Sequence, residues 1–195
     1  MKILLDYDNT ICNFSQMMCN KWNNMGEPLK SHPLYIEDIK YYSLHKCLKE
    51  KGYKDQTINF CLSCFWYEED LYQKYYIDMP CRNEILNKIL LDPMLFMGHV
   101  TLHTMCCSNQ MAISKLECIR HDYDLLKRIN DIKVDVLIDK TDYIKDTNYD
   151  VVIDDNPDFI LKFLNDNPEG KAIVPRWCYN DIPGINDNDR VIMID

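Results

Sequence analysis

The chain has 195 residues, of which 47% are hydrophobic and 27% charged, and its formal net charge is −9. This length suits one domain with a sizeable core, or a core with a small inserted module. The acidic balance argues against a nucleic-acid partner, because binding a polyanion depends on clustered Lys and Arg. No apolar run is long enough to cross a bilayer and the first residues lack a signal-peptide profile, so we expect a cytoplasmic protein that binds no membrane.

The first predicted strand ends in two carboxylates. Apolar residues 3–5 favour a buried strand, and Asp6 and Asp8 come next, one residue apart. Open α/β sheets place their ligand sites at the carboxyl ends of strands, so we expect both side chains in a crevice there. Two close negative charges need a cation or a shared proton, and a hard ion such as Mg²⁺ prefers oxygen ligands. A solvated turn or a helix N-cap is the structural alternative.

A helical, aromatic-rich stretch follows this strand. A helical pattern covers 14–22, turn signals stand at Gly26, Pro28 and Pro33, and another helix is predicted over 80–91, opened by a proline. The aromatic residues of the stretch include Tyr41, Tyr42, Phe60, Phe65, Trp66, Tyr67, Tyr72, Tyr75 and Tyr76. Most of them are expected to pack inside the helical layer.

The ten cysteines include a Cys-x-x-Cys over 61–64 and an adjacent pair at 106–107. A structural zinc site needs a second ligand pair at suitable spacing, and the residues around 61–64 are typical of a helix core. Without a secretory signal, we expect reduced, buried thiols rather than a metal site or disulfides.

Strands alternate with helices in the second half of the chain. They are predicted over 99–105, 134–138, 151–154 and 172–174. This βα rhythm is typical of a parallel sheet with helices on both faces, so the sequence predicts an α/β fold.

A second strand also ends in acid. Residues 151–157, Val-Val-Ile-Asp-Asp-Asn-Pro, run a buried β-type segment into Asp154 and Asp155 and close it with a turn signal. Because the carboxyl ends of parallel strands meet at one edge of a sheet, two acidic strand ends favour one shared site.

These motifs resemble those of the haloacid dehalogenase (HAD) superfamily. Asp6-x-Asp8-x-Thr10 is similar to its first motif, and residues 153–157 are similar to its fourth. The pairing of Asp-Lys-Thr at 139–141 with that fourth motif more closely resembles the 5′(3′)-deoxyribonucleotidase branch. The resemblance implies a Rossmann-like α/β core from residues 1–14 and 93–195, with a small helical cap over 15–92.

The resemblance also implies roles for the acidic residues. Asp6 is the nucleophile that forms an aspartyl phosphate, and Asp8 is the general acid and then the general base. Mg²⁺ is held by the Asp6 carboxylate, the backbone carbonyl of Asp8 and a carboxylate of the Asp154 and Asp155 pair. Asp154 is the first choice as direct ligand. The other carboxylate of the pair and Asp158 are expected to orient a metal-bound water or Lys140.

Two further catalytic groups are assigned from the resemblance. Thr104, near the end of the predicted strand over 99–105, matches the residue that hydrogen bonds the phosphate, with Ser108 as the second choice. Lys140 follows an apolar run and matches the lysine that neutralises phosphate charge. Lys115 and Lys145 are the alternatives to Lys140, and a surface lysine is the structural alternative for each.

The cap is expected to exclude bulk water and to contact the substrate. Thr10, Phe14, Trp66, Tyr67 and Ser108 are the candidate substrate-binding residues, and aromatic rings among them could stack on a nucleobase. The tail after Pro175 either shapes the rim of the site or only completes the fold.

The resemblance therefore implies a Mg²⁺-dependent 5′-nucleotidase-like phosphatase that acts on a nucleoside monophosphate. One alternative keeps the fold but hydrolyses a sugar phosphate or another small phosphomonoester, because this fold hosts many substrates. A catalytically idle nucleotide-binding protein is the second alternative. Base, sugar and phosphate position stay open, as does the choice between a monomer and a homodimer.

Overall fold

A computed structural model of the chain describes residues 1–25, 32–92, 95, 97–136 and 148–195. Six strands form one sheet in the order β3-β2-β1-β4-β5-β6, and every neighbouring pair is parallel. The strands are β1 (Lys2–Leu5), β2 (His99–Cys106), β3 (Asp131–Val136), β4 (Val151–Ile153), β5 (Lys171–Pro175) and β6 (Val191–Ile194). The predicted α/β class with a parallel sheet is confirmed.

Helices cover the sheet and build the layer inserted between β1 and β2. They are α1 (Phe14–Asn23), α2 (Leu44–Glu50), α3 (Asp55–Trp66), α4 (Leu71–Tyr75), α5 (Arg82–Leu91), α6 (Asn109–His121), α7 (Tyr123–Leu126), α8 (Pro157–Asp166) and α9 (Pro183–Asn186), with a 3₁₀ turn at Ile36–Asp38. Within the described ranges, none of these helices has both the length and the apolarity that a bilayer crossing requires.

The two faces of the sheet belong to different apolar clusters. Ile3 and Leu5 point to the cluster that includes residues of β2, α4, α5 and α6, whereas Leu4 points to the cluster with β5 and α8. This alternation follows from the two-residue repeat of a strand. β1 lies between β2 and β4 and is buried on both faces, so it is a central strand of the sheet. The residues that follow it therefore lie near the middle of the row of carboxyl strand ends.

A third apolar cluster belongs to the inserted helices. It is centred on Trp22, whose ring packs against Tyr53 and Phe65 with centroids 5.0 and 6.1 Å away, and it includes residues of α1, α2 and α3. The buried residues of α4 and α5 instead join the cluster of the sheet. The predicted domain boundaries over 15–92 stay a prediction. Within that range α2 and α3 belong to the Trp22 cluster and α4 and α5 to the cluster of the sheet, whereas α1 contributes Met18 to the first and Met17 to the second.

Several predicted strand ends shift. The strand predicted over 134–138 begins at Asp131, and β2 continues to Cys106. The strand at Val191–Ile194 was not predicted, because four residues at a chain end offer too short a pattern.

All ten cysteines are free thiols, and burial raises the pKa of Cys19 to about 12. The predicted turn residues Gly26 and Pro28 lie outside the described residues.

Candidate active site

The strand order places the acidic strand ends side by side. β1 lies between β2 and β4, and chain connections leave β1 and β4 in opposite directions along the sheet. Leu5 pairs with Ile153, and the N–H of Asp6 donates to the carbonyl of Ile153 at 2.9 Å, so the pairing continues up to the acids. Open α/β sheets bind ligands at such a switch point.

Three carboxylates converge there. Asp6, Asp154 and Asp155 are buried, and each offers an oxygen that lies within 4.8 Å of those of the other two. At such separations two unit charges repel by about 4 kcal/mol at an effective dielectric constant near 20. A divalent cation that prefers oxygen ligands offsets this repulsion, so the donor set fits the predicted Mg²⁺. The sequence predicted these three carboxylates and the backbone carbonyl of Asp8 as metal ligands. The three carboxylates converge, and metal binding by the four residues stays a prediction.

Asp8 does not belong to this trio, and both of its carboxylate oxygens are held by other side chains. The hydroxyl of Tyr72 donates to Oδ1 at 2.7 Å, and the ammonium of Lys115 donates to Oδ2 at 2.6 Å. Burial raises the pKa of the Asp8 carboxyl above its ordinary value, and the positive charge of Lys115 opposes this shift without cancelling it. A raised pKa favours the protonated carboxyl, which is the form a general acid needs.

Lys115 is completely buried on α6 and uses all three of its N–H groups. Besides Asp8, it donates to Oγ1 of Thr104 at 2.9 Å and to the carbonyl of Met105 at 2.8 Å. Burial lowers the pKa of its ammonium, but the charge of Asp8 outweighs burial and leaves that pKa raised. Lys115 therefore stays charged and links two predicted catalytic residues.

The sequence offered Lys115 only as an alternative to Lys140. Lys140, Lys145 and the rest of the Asp-Lys-Thr segment at 139–141 lie outside the described residues. The assignment of Lys140 to the phosphate therefore stays a prediction. Thr104 lies at the predicted place on β2, with its hydroxyl buried against Lys115 rather than at the end of the strand.

The loop after Asp6 folds tightly and depends on Asn9. Asn9 has a φ of 53°, a left-handed conformation that asparagine tolerates better than most residues. Its side chain accepts from the N–H of Ser15 at 2.8 Å and donates to the hydroxyl of Tyr179 at 3.2 Å. The indole of Trp177 donates to the backbone carbonyl of Asn9 at 3.0 Å. The loop is thus fixed from both α1 and the C-terminal segment.

The segment after β5 orients Asp155. Tyr179 donates to the Oδ2 of Asp155, and the amide of Asn180 donates to the Asp155 backbone carbonyl at 3.0 Å. The rings of Trp177 and Tyr179 stack at 5.7 Å. The structure therefore answers the question that the sequence left open about this tail, because residues 177–180 contact the loop and the acid group.

Tyr42 borders the site from the inserted layer. Its surface is 51% exposed, and its ring meets that of Tyr179 edge-on at 5.8 Å. Burial of the hydroxyl, followed by the negative charges of Asp155 and Asp154, raises its pKa well above the ordinary value. The phenol therefore lies between solvent and the acid group.

The predicted substrate-binding aromatics are only partly available. Phe14 stacks on Trp66 at 6.4 Å and on Tyr72 at 6.2 Å, so its ring is engaged within the protein. Tyr67 ends α3 and is 65% exposed. Their proposed contacts with a substrate stay predictions.

The two predicted hydroxyl groups have different surroundings. Ser108 caps α6 by accepting from the N–H of Met111 at 3.0 Å, and its own hydroxyl donates to the carbonyl of Trp66. Thr10 is completely buried, and its hydroxyl has no hydrogen-bond partner among the described residues. Asp158 lies in the first turn of α8 with an exposed side chain. None of these positions tests the predicted roles.

Tyr72 and Tyr179 are the site residues that sequence reasoning missed or left undecided. Burial and a neighbouring aspartate raise the pKa of both hydroxyls well above the ordinary value, so both remain protonated donors. Both lie far along the chain from the aspartates they contact. The sequence marks Tyr72 only as an aromatic residue of the helical stretch, and it leaves open whether the tail that carries Tyr179 shapes the rim of the site. No local pattern distinguishes a core tyrosine from one that orients a carboxylate.

Comparison with solved structures finds the same fold. A haloacid dehalogenase-like hydrolase from Bacteroides fragilis has a TM-score of 0.58 at 15% identity over 97% of this chain and 95% of that one. A HAD hydrolase of family IA from Entamoeba histolytica has a TM-score of 0.59 at 12% identity over 99% and 92%. A protein from Lactobacillus plantarum that carries the name phosphoglycolate phosphatase has a TM-score of 0.54 at 11% identity over 99% and 93%.

No protein-family model and no curated protein matches the chain. At such low identities the three structures show the fold alone. The chain has the Rossmann-like fold of HAD hydrolases, as the motifs predicted.

Proposed function

We propose that the protein is a Mg²⁺-dependent phosphatase that hydrolyses nucleoside monophosphates through an aspartyl-phosphate intermediate. The observation that carries this proposal is the convergence of Asp6 with Asp154 and Asp155, beside an Asp8 held separately by Lys115 and Tyr72. One carboxylate next to a metal-binding group and a second with a raised pKa are what nucleophilic and acid catalysis require. The fold shared with HAD hydrolases supports the same chemistry.

In the first step, a carboxylate oxygen of Asp6 forms a bond to phosphorus as the bond to the leaving oxygen breaks. Asp8 gives its proton to that oxygen, which leaves as an alcohol. In the second step, Asp8 is a carboxylate and takes a proton from water. The oxygen of that water forms a bond to phosphorus and releases Asp6 and inorganic phosphate.

The remaining charges of the site assist both steps. Asp6, Asp154 and Asp155 would hold Mg²⁺, which neutralises phosphate charge when it is bound. Tyr179 keeps Asp155 oriented, as groups behind a metal ligand commonly do. Lys115 holds Asp8 through a direct ion pair and hydrogen bond at 2.6 Å, which fixes one oxygen of the general acid.

The choice of a nucleoside monophosphate rests on the resemblance of residues 139–141 and 153–157 to deoxyribonucleotidase motifs. Exposed aromatic rings of the inserted layer add support. Trp66, Tyr67 and Tyr42 are each at least partly exposed, and such rings stack on nucleobases.

One observation favours a smaller substrate instead. The planes of Phe14 and Trp66 lie 8° from parallel and stack on each other, which engages ring surface that a base would otherwise contact. A structural neighbour also carries the name phosphoglycolate phosphatase. A small phosphomonoester, such as a sugar phosphate, is therefore the second candidate.

A phosphate-release screen with Mg²⁺ separates these candidates. The substrates are ribo- and deoxyribonucleoside monophosphates with 5′ or 3′ phosphates, sugar phosphates and phosphoglycolate, and Asp6→Asn provides the blank. We expect the highest kcat/KM for a nucleoside monophosphate. A higher value for a sugar phosphate or phosphoglycolate would move the assignment to the second candidate. Release that matches the Asp6→Asn blank for every substrate would overturn the phosphatase assignment and favour an idle binding protein.

A further inference from the structure

We propose that Tyr72 is a positioning residue that aims the proton-donating oxygen of Asp8 at the leaving group. This inference rests on the proposed function, because it assigns a partner to the general acid of that reaction. It concerns a side chain that no sequence motif marks and that lies on α4, outside the sheet.

The pairing of Lys115 determines which oxygen of Asp8 can face the substrate. An ammonium has three N–H donors and no acceptor. Lys115 donates to Oδ2 at 2.6 Å and uses its other two N–H groups on Thr104 and Met105. Oδ2 is therefore held by the ammonium, and Oδ1 is the oxygen left to face the leaving group.

Tyr72 contacts that same oxygen. Its hydroxyl lies 2.7 Å from Oδ1 of Asp8. A carboxyl oxygen that carries a proton still has a lone pair, so it can accept from a phenol while it donates to a leaving oxygen. A hydrogen bond on one lone pair restricts rotation of the carboxyl group, and the remaining direction of Oδ1 is the one available to the substrate.

The structure holds Tyr72 firmly enough for this task. Its side chain is completely buried, and its ring packs against those of Tyr7 and Phe14 at 6.1 and 6.2 Å. Its N–H donates to Oγ of Ser114 at 2.9 Å, and Gln73 donates to the Ser114 carbonyl at 2.9 Å.

Ser114 is the neighbour of Lys115 on α6. The helix that supplies the partner of Oδ2 therefore also anchors the short helix that supplies the partner of Oδ1. The two contacts form one clamp on Asp8, built from residues 72, 114 and 115.

The clamp has a consequence that depends on the leaving group. An alkoxide leaves poorly without a proton, so hydrolysis of a nucleoside monophosphate needs a well-aimed Asp8. The p-nitrophenolate anion is stable in water and needs little protonation. Loss of the Tyr72 hydroxyl is therefore expected to slow the first substrate far more than the second.

The test compares Tyr72→Phe with the wild-type protein on a nucleoside monophosphate and on p-nitrophenyl phosphate. We expect kcat for the nucleotide to fall by about 10-fold to 100-fold, and kcat for the aryl phosphate to fall by less than about 3-fold. Asp8→Asn is expected to show the same selectivity with a larger loss. Ser114→Ala weakens the anchor of α4. It is expected to lower the ratio of kcat for the nucleotide to kcat for the aryl phosphate, by a smaller factor than Tyr72→Phe.

Tyr76→Phe is the matched control. Tyr76 directly follows α4 and, like Tyr72, donates to an aspartate, but the acceptor is Asp78, at 2.7 Å. We expect its ratio of the two kcat values to equal that of the wild-type protein. Circular dichroism and thermal melting of every variant verify that the fold is retained.

The outcomes distinguish this inference from the proposed function. If the wild-type protein is active and Tyr72→Phe slows both substrates equally, or neither, the positioning role is overturned. If the folded wild-type protein releases phosphate from neither substrate, the proposed function is overturned and this inference fails with it. A selective loss in Tyr72→Phe with an unchanged Tyr76→Phe supports the inference.

Discussion

The hydroxyl of Tyr179 lies 2.5 Å from Oδ2 of Asp155, and it donates a hydrogen bond to that carboxylate. The contact connects a residue after the fifth strand with an acid after the fourth, and Tyr179 is also bonded to Asn9 in the loop after the first strand. Three strand ends are thus tied together behind the acid group. This hydrogen bond restricts rotation of the Asp155 carboxylate and so fixes the direction of its other oxygen. A fixed oxygen suits a carboxylate that completes a metal site.

Loss of the Tyr179 hydroxyl should weaken metal binding more than it weakens chemistry. For Tyr179→Phe we expect the Mg²⁺ concentration for half-maximal activity to rise by about 10-fold, with kcat at saturating Mg²⁺ within a few-fold of wild type. A Mg²⁺ titration of phosphate release measures both quantities. Tyr41→Phe removes a comparable bond to Glu50 at an exposed site and should change neither. An unchanged Mg²⁺ requirement in Tyr179→Phe would contradict this role.

Replacement of Asp6 should abolish turnover. Asp6→Asn keeps the size of the side chain and removes the nucleophilic charge, so we expect phosphate release to fall by about 10⁴-fold or more. Asp150→Asn is the control, because Asp150 lies before β4 at the opposite end of the strands and accepts from the N–H of Lys2 at 2.7 Å. Wild-type rates in Asp6→Asn would refute the assignment.

Removal of the metal should abolish activity, and addition of Mg²⁺ should stabilise the fold. EDTA is expected to abolish phosphate release and Mg²⁺ to restore it. Independently of activity, Mg²⁺ at about 100 times its Kd should stabilise the fold by about 2.7 kcal/mol, seen as a raised Tm. Asp154→Asn should lose most of this shift, because one of three converging carboxylates is gone. Phosphate release that persists in EDTA, together with a Tm that Mg²⁺ does not change, would exclude the metal site.

Removal of the Lys115 ammonium should destabilise the fold. Lys115→Met leaves the largely buried Asp8 without its cation, and breaking such a pair costs about 3 kcal/mol or more. Urea unfolding measures this free energy. Lys162→Met, which breaks an exposed pair with Asp166, should cost about 0.5 kcal/mol or less. The double variant Lys115→Met with Asp8→Asn should recover part of the loss, and strict additivity would show that the two residues are not coupled.

The raised pKa of Asp8 predicts a pH dependence that differs between substrates. Its general-acid form is present below the raised pKa and is lost as the pH rises through it. The ratio of kcat/KM for a nucleoside monophosphate to kcat/KM for p-nitrophenyl phosphate should therefore fall with rising pH. Taking the ratio removes titrations that both substrates share. In Asp8→Asn the ratio should be low and flat, and a flat ratio in the wild-type protein would contradict the acid role.

The acid group illustrates what local sequence patterns can predict. Asp6 and Asp154 each follow a short apolar run, and a parallel sheet must align the carboxyl ends of its strands, so their meeting followed from pattern and fold class together. Boundaries were less certain. The third strand begins three residues before its predicted start, and the terminal strand over 191–194 carried no distinct signal.

The sequence by itself determined the alternation of strands and helices as far as β5, the acidic ends of β1 and β4, and thereby the place of the candidate site. Only the tertiary structure decided that Lys115 pairs with Asp8, that Tyr72 completes the clamp and that Tyr179 orients Asp155. The physical reason is distance along the chain. A strand end is specified by its neighbours in sequence, whereas these three contacts depend on how α4, α6 and the segment after β5 dock on the sheet, and no local repeat encodes that docking.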